Sequence, residues 1–239
     1  MIGNKEYPGR LILIGQEKTS GKVLAAYAIT GRSISSQSRK MVREKDAIWV
    51  KPTDKNLLKT KNIDLLIYPS VFFLSHGIAV SNGKQTIDIM ACLGQSQSPA
   101  EILAFALKAW DYEPDEPAFT PRISGCVLSN KMAALSLIRK TPHSSSLRNY
   151  YEFSLVPGKG KMIMTYQGEN RDPLPSFMGE PQDVEIDGST PQEVAEAVYA
   201  SLGPRKGGKD FRVAAACVFG IDMPSLKYDT CIVNKAERK

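Results

Sequence analysis

The chain has 239 residues and 26.3 kDa, with 42% hydrophobic and 23% charged residues, an ordinary globular balance that can bury a substantial core. Its formal charge is +6, and from Gly203 to Lys239 eight Lys/Arg stand against four Asp/Glu, so most of the excess is C-terminal. No apolar run approaches the ~18 residues a bilayer span needs, Cys92, Cys126, Cys217 and Cys231 are too scattered for a zinc ribbon or disulfide framework, and no nucleic-acid-binding spacing occurs.

The chain opens with polar Met1-Ile2-Gly3-Asn4-Lys5-Glu6, which has no signal-peptide core, so a reduced cytoplasmic compartment is the expectation. β-Rich runs predict strands at Arg10–Gly15, Val23–Thr30, Ala47–Val50, Leu65–Phe73 and Gly77–Ser81. Ser81-Asn82-Gly83-Lys84 reads as a hairpin leading into a strand over Gln85–Ile89. Ser98-Pro99-Ala100-Glu101 is a capping box with proline at the first helical position, and Ile102, Phe105, Ala106, Ala109 and Trp110 follow at helical spacing. The aromatics on that stripe are expected in the core. Further strands are predicted at Ile123–Ser129, Ala133–Arg139, Tyr150–Leu155 and Lys161–Tyr166.

Pro157-Gly158-Lys159-Gly160-Lys161 lacks the P-loop spacing and reads as a turn. Gln167–Asp183 is a long irregular loop, either a flap beside a site or a structural crossover, on which Leu174 and Phe177 should dock. A second helix opens at Thr190-Pro191-Gln192-Glu193, carries Val194, Ala197, Val198 and Leu202, and stops at Gly203-Pro204. Strands at Phe211–Phe219 and Cys231–Val233 close the chain, with a basic tail over 235–239. His76 and His143 lack a ligand set and read as structural or surface residues. Many strands with two helices cannot build a parallel α/β sheet, which needs a helix at each crossover. The expected architecture is α+β in one domain over residues 1–239: two antiparallel sheets face to face, covered by helices.

Between the first helix and the next strand, Asp111–Ile123 packs two aspartates, two glutamates, a tyrosine and an arginine among three prolines. Prolines at this density exclude a helix and make a stiff loop. Several acids near one cation can set protonation states for acid–base work. The same residue types also fit a polar surface loop with an incidental Glu–Arg pair.

Asp111-Tyr112-Glu113, Asp115-Glu116 and Thr120-Pro121-Arg122-Ile123 resemble a signature of the archaeal-type IMP cyclohydrolases. Pro8-Gly9-Arg10, Gly31-Arg32-Ser33 with Arg39, and Val80-Ser81-Asn82-Gly83 with Thr86 and Asp88 match in the same order, and Tyr68 falls where that family also carries a tyrosine. The resemblance is closest over residues 8 to 170. It implies the α-β-β-α sandwich of N-terminal-nucleophile hydrolases without the nucleophile, since Met1-Ile2-Gly3 offers no Cys, Ser or Thr. It also implies ring closure of 5-formamidoimidazole-4-carboxamide ribotide to inosine monophosphate with loss of water, as the last step of de novo purine biosynthesis.

That reaction needs donors for the oxyanion forming on the formyl oxygen, a base for the amide proton and an acid for the departing hydroxyl. It requires no metal, redox cofactor or covalent intermediate. Arg32 and Tyr68 are the candidate donors and Glu113 the candidate base, with Glu116 in reserve; one acid could instead orient Arg122. Ser33 and Arg39, within a hydroxyl-rich stretch, suit the 5′-phosphate. Asn82 or Asp88 suit the ribose, although Asn82 equally suits a hairpin turn. The implied partner is a small purine nucleotide, with no nucleic acid and no membrane; whether copies form a homo-oligomer is left open. At this length there is little room for a formyltransferase domain. Two other readings stand beside this one: an amidohydrolase with a processed nucleophile, and a non-catalytic purine-nucleotide binder.

Overall fold

A computed structural model of the protein describes residues 5–54, 66–204 and 207–238. Met1–Asn4, the expected strand start at Leu65, and the basic residues Arg205, Lys206 and Lys239 lie outside the described residues. Among the described residues, thirteen strands form two wholly antiparallel sheets. The six-stranded sheet runs in the order β11 (Gln182–Glu185), β10 (Lys159–Met164), β1 (Arg10–Gln16), β2 (Val23–Thr30), β12 (Arg212–Asp222) and β13 (Lys227–Asn234). The seven-stranded sheet is a meander: β3 (Arg39–Glu44), β4 (Ala47–Pro52), β5 (Tyr68–Leu74), β6 (Gly77–Ser81), β7 (Arg122–Leu128), β8 (Met132–Lys140) and β9 (Ser146–Ser154).

The sheets stack face to face. Ile12, Ile14, Val71, Val80, Ile123, Val127, Leu135 and Leu137 join one buried cluster. A Cβ on Gly125 of β7 would come within 2.7 Å of Ile14 Cδ1 and 2.9 Å of Leu135 Cδ2, so the bare glycine sets a close approach of the two sheets. Helix α2 (Thr86–Cys92) and helix α3 (Pro99–Ala106) pack on the outer face of the second sheet, where Ala79, Cys126, Ala134 and Ile138 meet Ile89, Ile102 and Leu103. Helix α4 (Pro191–Ser201) packs on β12, β13 and β2. β2 is buried at every position because both its faces are covered, so its run is continuously apolar rather than alternating.

The segment expected as a strand over Gln85–Ile89 belongs to α2. Ser81–Lys84 is not a hairpin: Gly83 O accepts from Thr86 N–H (3.2 Å) and Lys84 O from Ile87 N–H (3.0 Å), so the chain leaves β6 into a helical turn. Ile89 and Cys92 then recur at helical spacing on the sheet. The helix from Pro99 ends at Ala106, short of Trp110, and Phe105 is 57% exposed with Lys108 Nζ 4.4 Å from its ring centroid, so it is not the core residue expected. Ser98 and Thr190 cap α3 and α4 as expected, but Glu101 and Glu193 accept from Ser96 and Ser189 instead of closing capping boxes. β3, the short helix α1 (Ile34–Gln37) and β11 were not foreseen.

At one edge the sheets are tied by a side chain. Met41 N–H donates to Asn234 Oδ1 (2.8 Å) and Asn234 Nδ2 donates to Met41 O (3.0 Å), so Asn234, 5% exposed, acts as a strand partner for β3. Asn234→Ala would strand a buried N–H and C=O. It should lower unfolding free energy by about 2 kcal/mol in urea titrations; a loss under ~0.5 kcal/mol would mean that water replaces the amide.

Candidate active site

Pairing register brings the starts of β1, β3, β5 and β7 and the ends of β2 and β6 to one end of the sandwich. Arg10 pairs with Ile29 and lies on the same face as Ile12 and Ile14, so the period-2 pleat turns its guanidinium between the sheets. Arg39 enters from β3 and is 1% exposed; its Nε donates to Ser36 O (2.9 Å) and its Nη2 to Thr30 O (3.3 Å). Arg10 Nε and Arg39 Nη1 are buried without a hydrogen-bond partner among the described residues. Between them the hydroxyls of Tyr27 and Tyr68, from opposite sheets, share a hydrogen bond of 2.9 Å. Burial, with Tyr68 beside it, holds the Tyr27 phenol well above its usual range, so it stays protonated. Burial alone would lower the Arg10 pKa, but Tyr68 and Glu113 beside it raise it further, and the group remains a cation.

Glu113 is 3% exposed. Its Oε1 accepts from Asn82 Nδ2 (3.1 Å), and Arg122 Nη1 stands 4.0 Å away. Burial raises the carboxyl from 4.5 to about 7, with Asp115 adding to the rise and Arg10, Arg122 and Arg39 opposing it. Asn82, 2% exposed, is fully engaged: Nδ2 also donates to Pro121 O (3.0 Å), while Oδ1 accepts from Gln85 Nε2 (3.1 Å) and Ile123 N–H (2.9 Å). Arg122 donates from Nε to Asp111 O (2.7 Å) and from Nη1 to Gln85 Oε1 (3.0 Å), and its guanidinium lies 4.8 Å from the Trp110 ring centroid.

The acidic segment divides its labour. Asp111 pairs with Arg148 (3.0 Å) and accepts from Ser146 (2.7 Å), anchoring the segment to β9. Asp115 folds the loop back by accepting from the Thr120 N–H (2.6 Å) and hydroxyl. Glu113 alone is buried at the centre; Glu116 is exposed and does not orient Arg122, which faces Glu113.

Of the other expected site residues, Tyr68, Arg39, Asn82 and Arg122 belong to this cluster. Arg32 lies at its rim: it pairs with Asp172 (2.9 Å), approaches Asn170 (3.4 Å) and sits 5.5 Å from the Tyr7 ring centroid. The contact comes from the Gln167–Asp183 loop, whose Leu174 and Phe177 are buried, so the loop docks beside the cluster. Ser33 caps α1 at the surface, bonded to Ser35 (3.1 Å) and Ser36 (3.0 Å). Asp88 is not in the cluster: on the exposed side of α2 it accepts from Trp110 Nε1 at 2.6 Å. His76 and His143 are exposed.

Arg10, Tyr27 and Gln85 went unassigned at the sequence level. For Arg10 and Tyr27 the available signal was a charge or hydroxyl within an otherwise apolar strand, since Arg10 has the parity of the core-facing Ile12 and Ile14 and Tyr27 pairs with Ile12; Gln85, at the start of α2, carried no such signal. Among the described residues no cluster of three His, Cys, Asp or Glu could hold a metal, and no helix is long and apolar enough to cross a membrane.

A family model for IMP cyclohydrolase-like proteins matches residues 7–219. The chain is 28% identical over 194 residues to an IMP cyclohydrolase of Methanocella arvoryzae, covering 81% of this chain and 85% of that protein. An IMP cyclohydrolase of Methanothrix thermoacetophila is 25% identical over the same coverage. One from Halobacterium salinarum is 25% identical over 230 residues, 95% of this chain and 98% of that protein, which carries the similarity through the C-terminal half.

A carboxyl raised from 4.5 to about 7 on folding contributes stability below pH 4.5 that is lost as pH rises through 7. Glu113→Gln removes that dependence. Relative to the parent, the variant should gain about 3 kcal/mol of unfolding free energy between pH 4 and pH 8. A difference constant across that range would show the carboxyl to be unperturbed.

Proposed function

The chain belongs to the IMP cyclohydrolase-like family, and from that premise we propose that it closes 5-formamidoimidazole-4-carboxamide ribotide to inosine monophosphate with loss of water. The observation that carries the reading is Glu113, a carboxylate 3% exposed, held near neutrality and surrounded by cations. The substrate's carboxamide nitrogen and formyl carbon already share one ring, so little is gained by bringing them together. An amide nitrogen is a poor nucleophile, and the barrier lies in proton and charge management.

In the proposed sequence the carboxamide nitrogen attacks the formyl carbon while ionised Glu113 takes its proton. The formyl oxygen, gaining negative charge, receives hydrogen bonds from Tyr68 and from Arg32, which exchanges Asp172 for substrate. Glu113 returns that proton to the oxyanion to give a hydroxyl, then takes the formamido N–H proton and delivers it to the hydroxyl, which leaves as water as the C=N bond forms. A base must be ionised to start and acidic enough to give the proton back, which a value near 7 allows. Arg10 and Arg39, with unpaired buried N–H donors, supply the anion-receiving end and suit a phosphate dianion. Asn82 serves by holding Glu113, not the ribose.

The helix–sheet–sheet–helix arrangement supports assignment to the N-terminal-nucleophile hydrolase-like sandwich, with strand-end side chains in place of a terminal nucleophile. A cytoplasmic enzyme of purine biosynthesis is the setting this reading implies.

The decisive assay follows inosine monophosphate formation spectrophotometrically from the formamido ribotide; no turnover, with tight product binding, would leave only a nucleotide-binding protein. Because the base must be ionised, kcat/KM should rise with pH about a midpoint near 7 and level off above it. Glu113→Gln should abolish turnover while retaining product binding. Tyr68→Phe and Arg32→Ala should each lower kcat roughly a hundredfold while the fold stays intact, the effect of losing one transition-state donor. Full activity in all three variants would place the chemistry elsewhere.

A further inference from the structure

Gln85 is 0% exposed and stands at the N-cap position of α2, yet its side chain caps nothing there. Both ends of its amide face the site instead: Oε1 accepts from Arg122 Nη1 (3.0 Å) and Nε2 donates to Asn82 Oδ1 (3.1 Å). The neighbouring backbone reserves this space. A Cβ on Gly83 would fall 2.5 Å from Gln85 Oε1 and 2.8 Å from Arg122 Nη1, so a side chain at 83 would intrude on the hydrogen bond. With Asp111 O on its Nε and the Trp110 ring against its face, the Arg122 guanidinium is gripped from three directions. None of these grips is a carboxylate. Arg122 Nη1 is left 4.0 Å from Glu113 Oε1, about 1 Å beyond a charge-assisted hydrogen bond.

We propose that Gln85 is a positioning residue for the Glu113 carboxylate: by accepting from Arg122 it holds that guanidinium out of a direct ion pair, and by donating to Asn82 it aims the Asn82 amide at Glu113. Gln85 closes a ring of four side chains, Glu113–Asn82–Gln85–Arg122, in which the one cation within 4.0 Å of the base, among the described residues, is bound to a neutral acceptor. Arg10 from β1, Arg39 from β3 and Asp115 from the same loop also act on Glu113, but none contacts Gln85. Arg122 is the only one of these charges that Gln85 controls. A direct Arg122–Glu113 pair would pull the carboxyl down, giving a base ionised over a wider range but too weak to take an amide proton. The role rests on Glu113 being the base of the proposed cyclohydrolase.

The test uses two readouts on the intact chain: the pH profile of kcat/KM with the formamido ribotide, and titration of the Glu113 carboxyl carbon by NMR without substrate, assigned with Glu113→Gln. Gln85→Leu keeps the volume but removes the acceptor, so Arg122 should close on Glu113, and both midpoints should fall by about one pH unit or more. Gln85→Glu keeps an acceptor for Arg122 and should leave the midpoint at or above that of the parent. Should Gln85→Leu not fold, Gln85→Asn, which draws the acceptor back by one methylene, should give the same downward shift. Midpoints unchanged in a folded Gln85→Leu or Gln85→Asn, or lowered equally in Gln85→Glu, would overturn the proposal. A parent protein inactive on the ribotide, whose Glu113 titration still shifts in Gln85→Leu, would support the positioning role and sink the enzymatic reading instead.

Discussion

Charge held out of water governs this molecule. Arg10, Arg39 and Arg122 converge on the one central carboxylate, Glu113, in a space that solvent scarcely reaches, and each would be far less costly in water. Burial pulls the Arg39 and Arg122 pKa values down and pushes that of Glu113 up. The sheets tolerate this in part because Arg39 Nε and Nη2 donate to backbone carbonyls, and Arg122 donates to a backbone carbonyl and to the neutral Gln85. The two N–H groups left over, Arg10 Nε and Arg39 Nη1, mark where the balance of charge is incomplete, and they give an anionic ligand something to complete.

The scaffold makes that concentration of charge sustainable. Antiparallel pairing places alternate strand ends side by side, so residues distant in the chain, from Arg10 to Arg122, meet without any loop having to be ordered for the purpose. The acidic segment between α3 and β7 is the exception, and it is braced at three points. Asp111 is tied to β9, Asp115 to Thr120, and Thr120 in turn to the Tyr166 hydroxyl at 2.6 Å. Glu113 thus sits on a loop with little freedom to relax toward water, which keeps its raised pKa from collapsing.

Where apolar period and local chemistry agreed, the strands were legible: β2 and β6 fall where their Val, Ile and Ala runs put them. The acidic segment was legible too, because three prolines forbid a helix and leave few conformations. Asn82-Gly83 misled because its hairpin grammar is local, whereas Asn82 spends its amide on Glu113, Pro121 and Ile123 as well as on nearby Gln85, and the first three lie in no window of neighbours. Phe105 misled for the opposite reason: helical spacing was right, but Leu103 faces the sheet in its place. The burial of Arg39 was not legible, since nothing in Ser33–Ser38 announces that β3 follows and carries the guanidinium inside. Buried charge is the hardest thing to see in a sequence, because its partners are supplied by topology.

The Tyr27–Tyr68 hydrogen bond joins the two sheets at the end that carries the proposed active site, and Gly125 against Ile14 sets their separation deeper inside. Chemistry here therefore works as a ruler of interlayer spacing. Arg10 and Tyr27 ride on one sheet, Tyr68 and Arg122 on the other, so a slide or swelling of a fraction of an ångström in the hydrocarbon core is transmitted undiminished to the reacting groups. On the proposed chemistry, core side chains such as Ile14 and Leu135 would be determinants of rate as well as of stability. Loss of turnover on warming should thus precede loss of fold, as the interior loosens before either sheet comes apart.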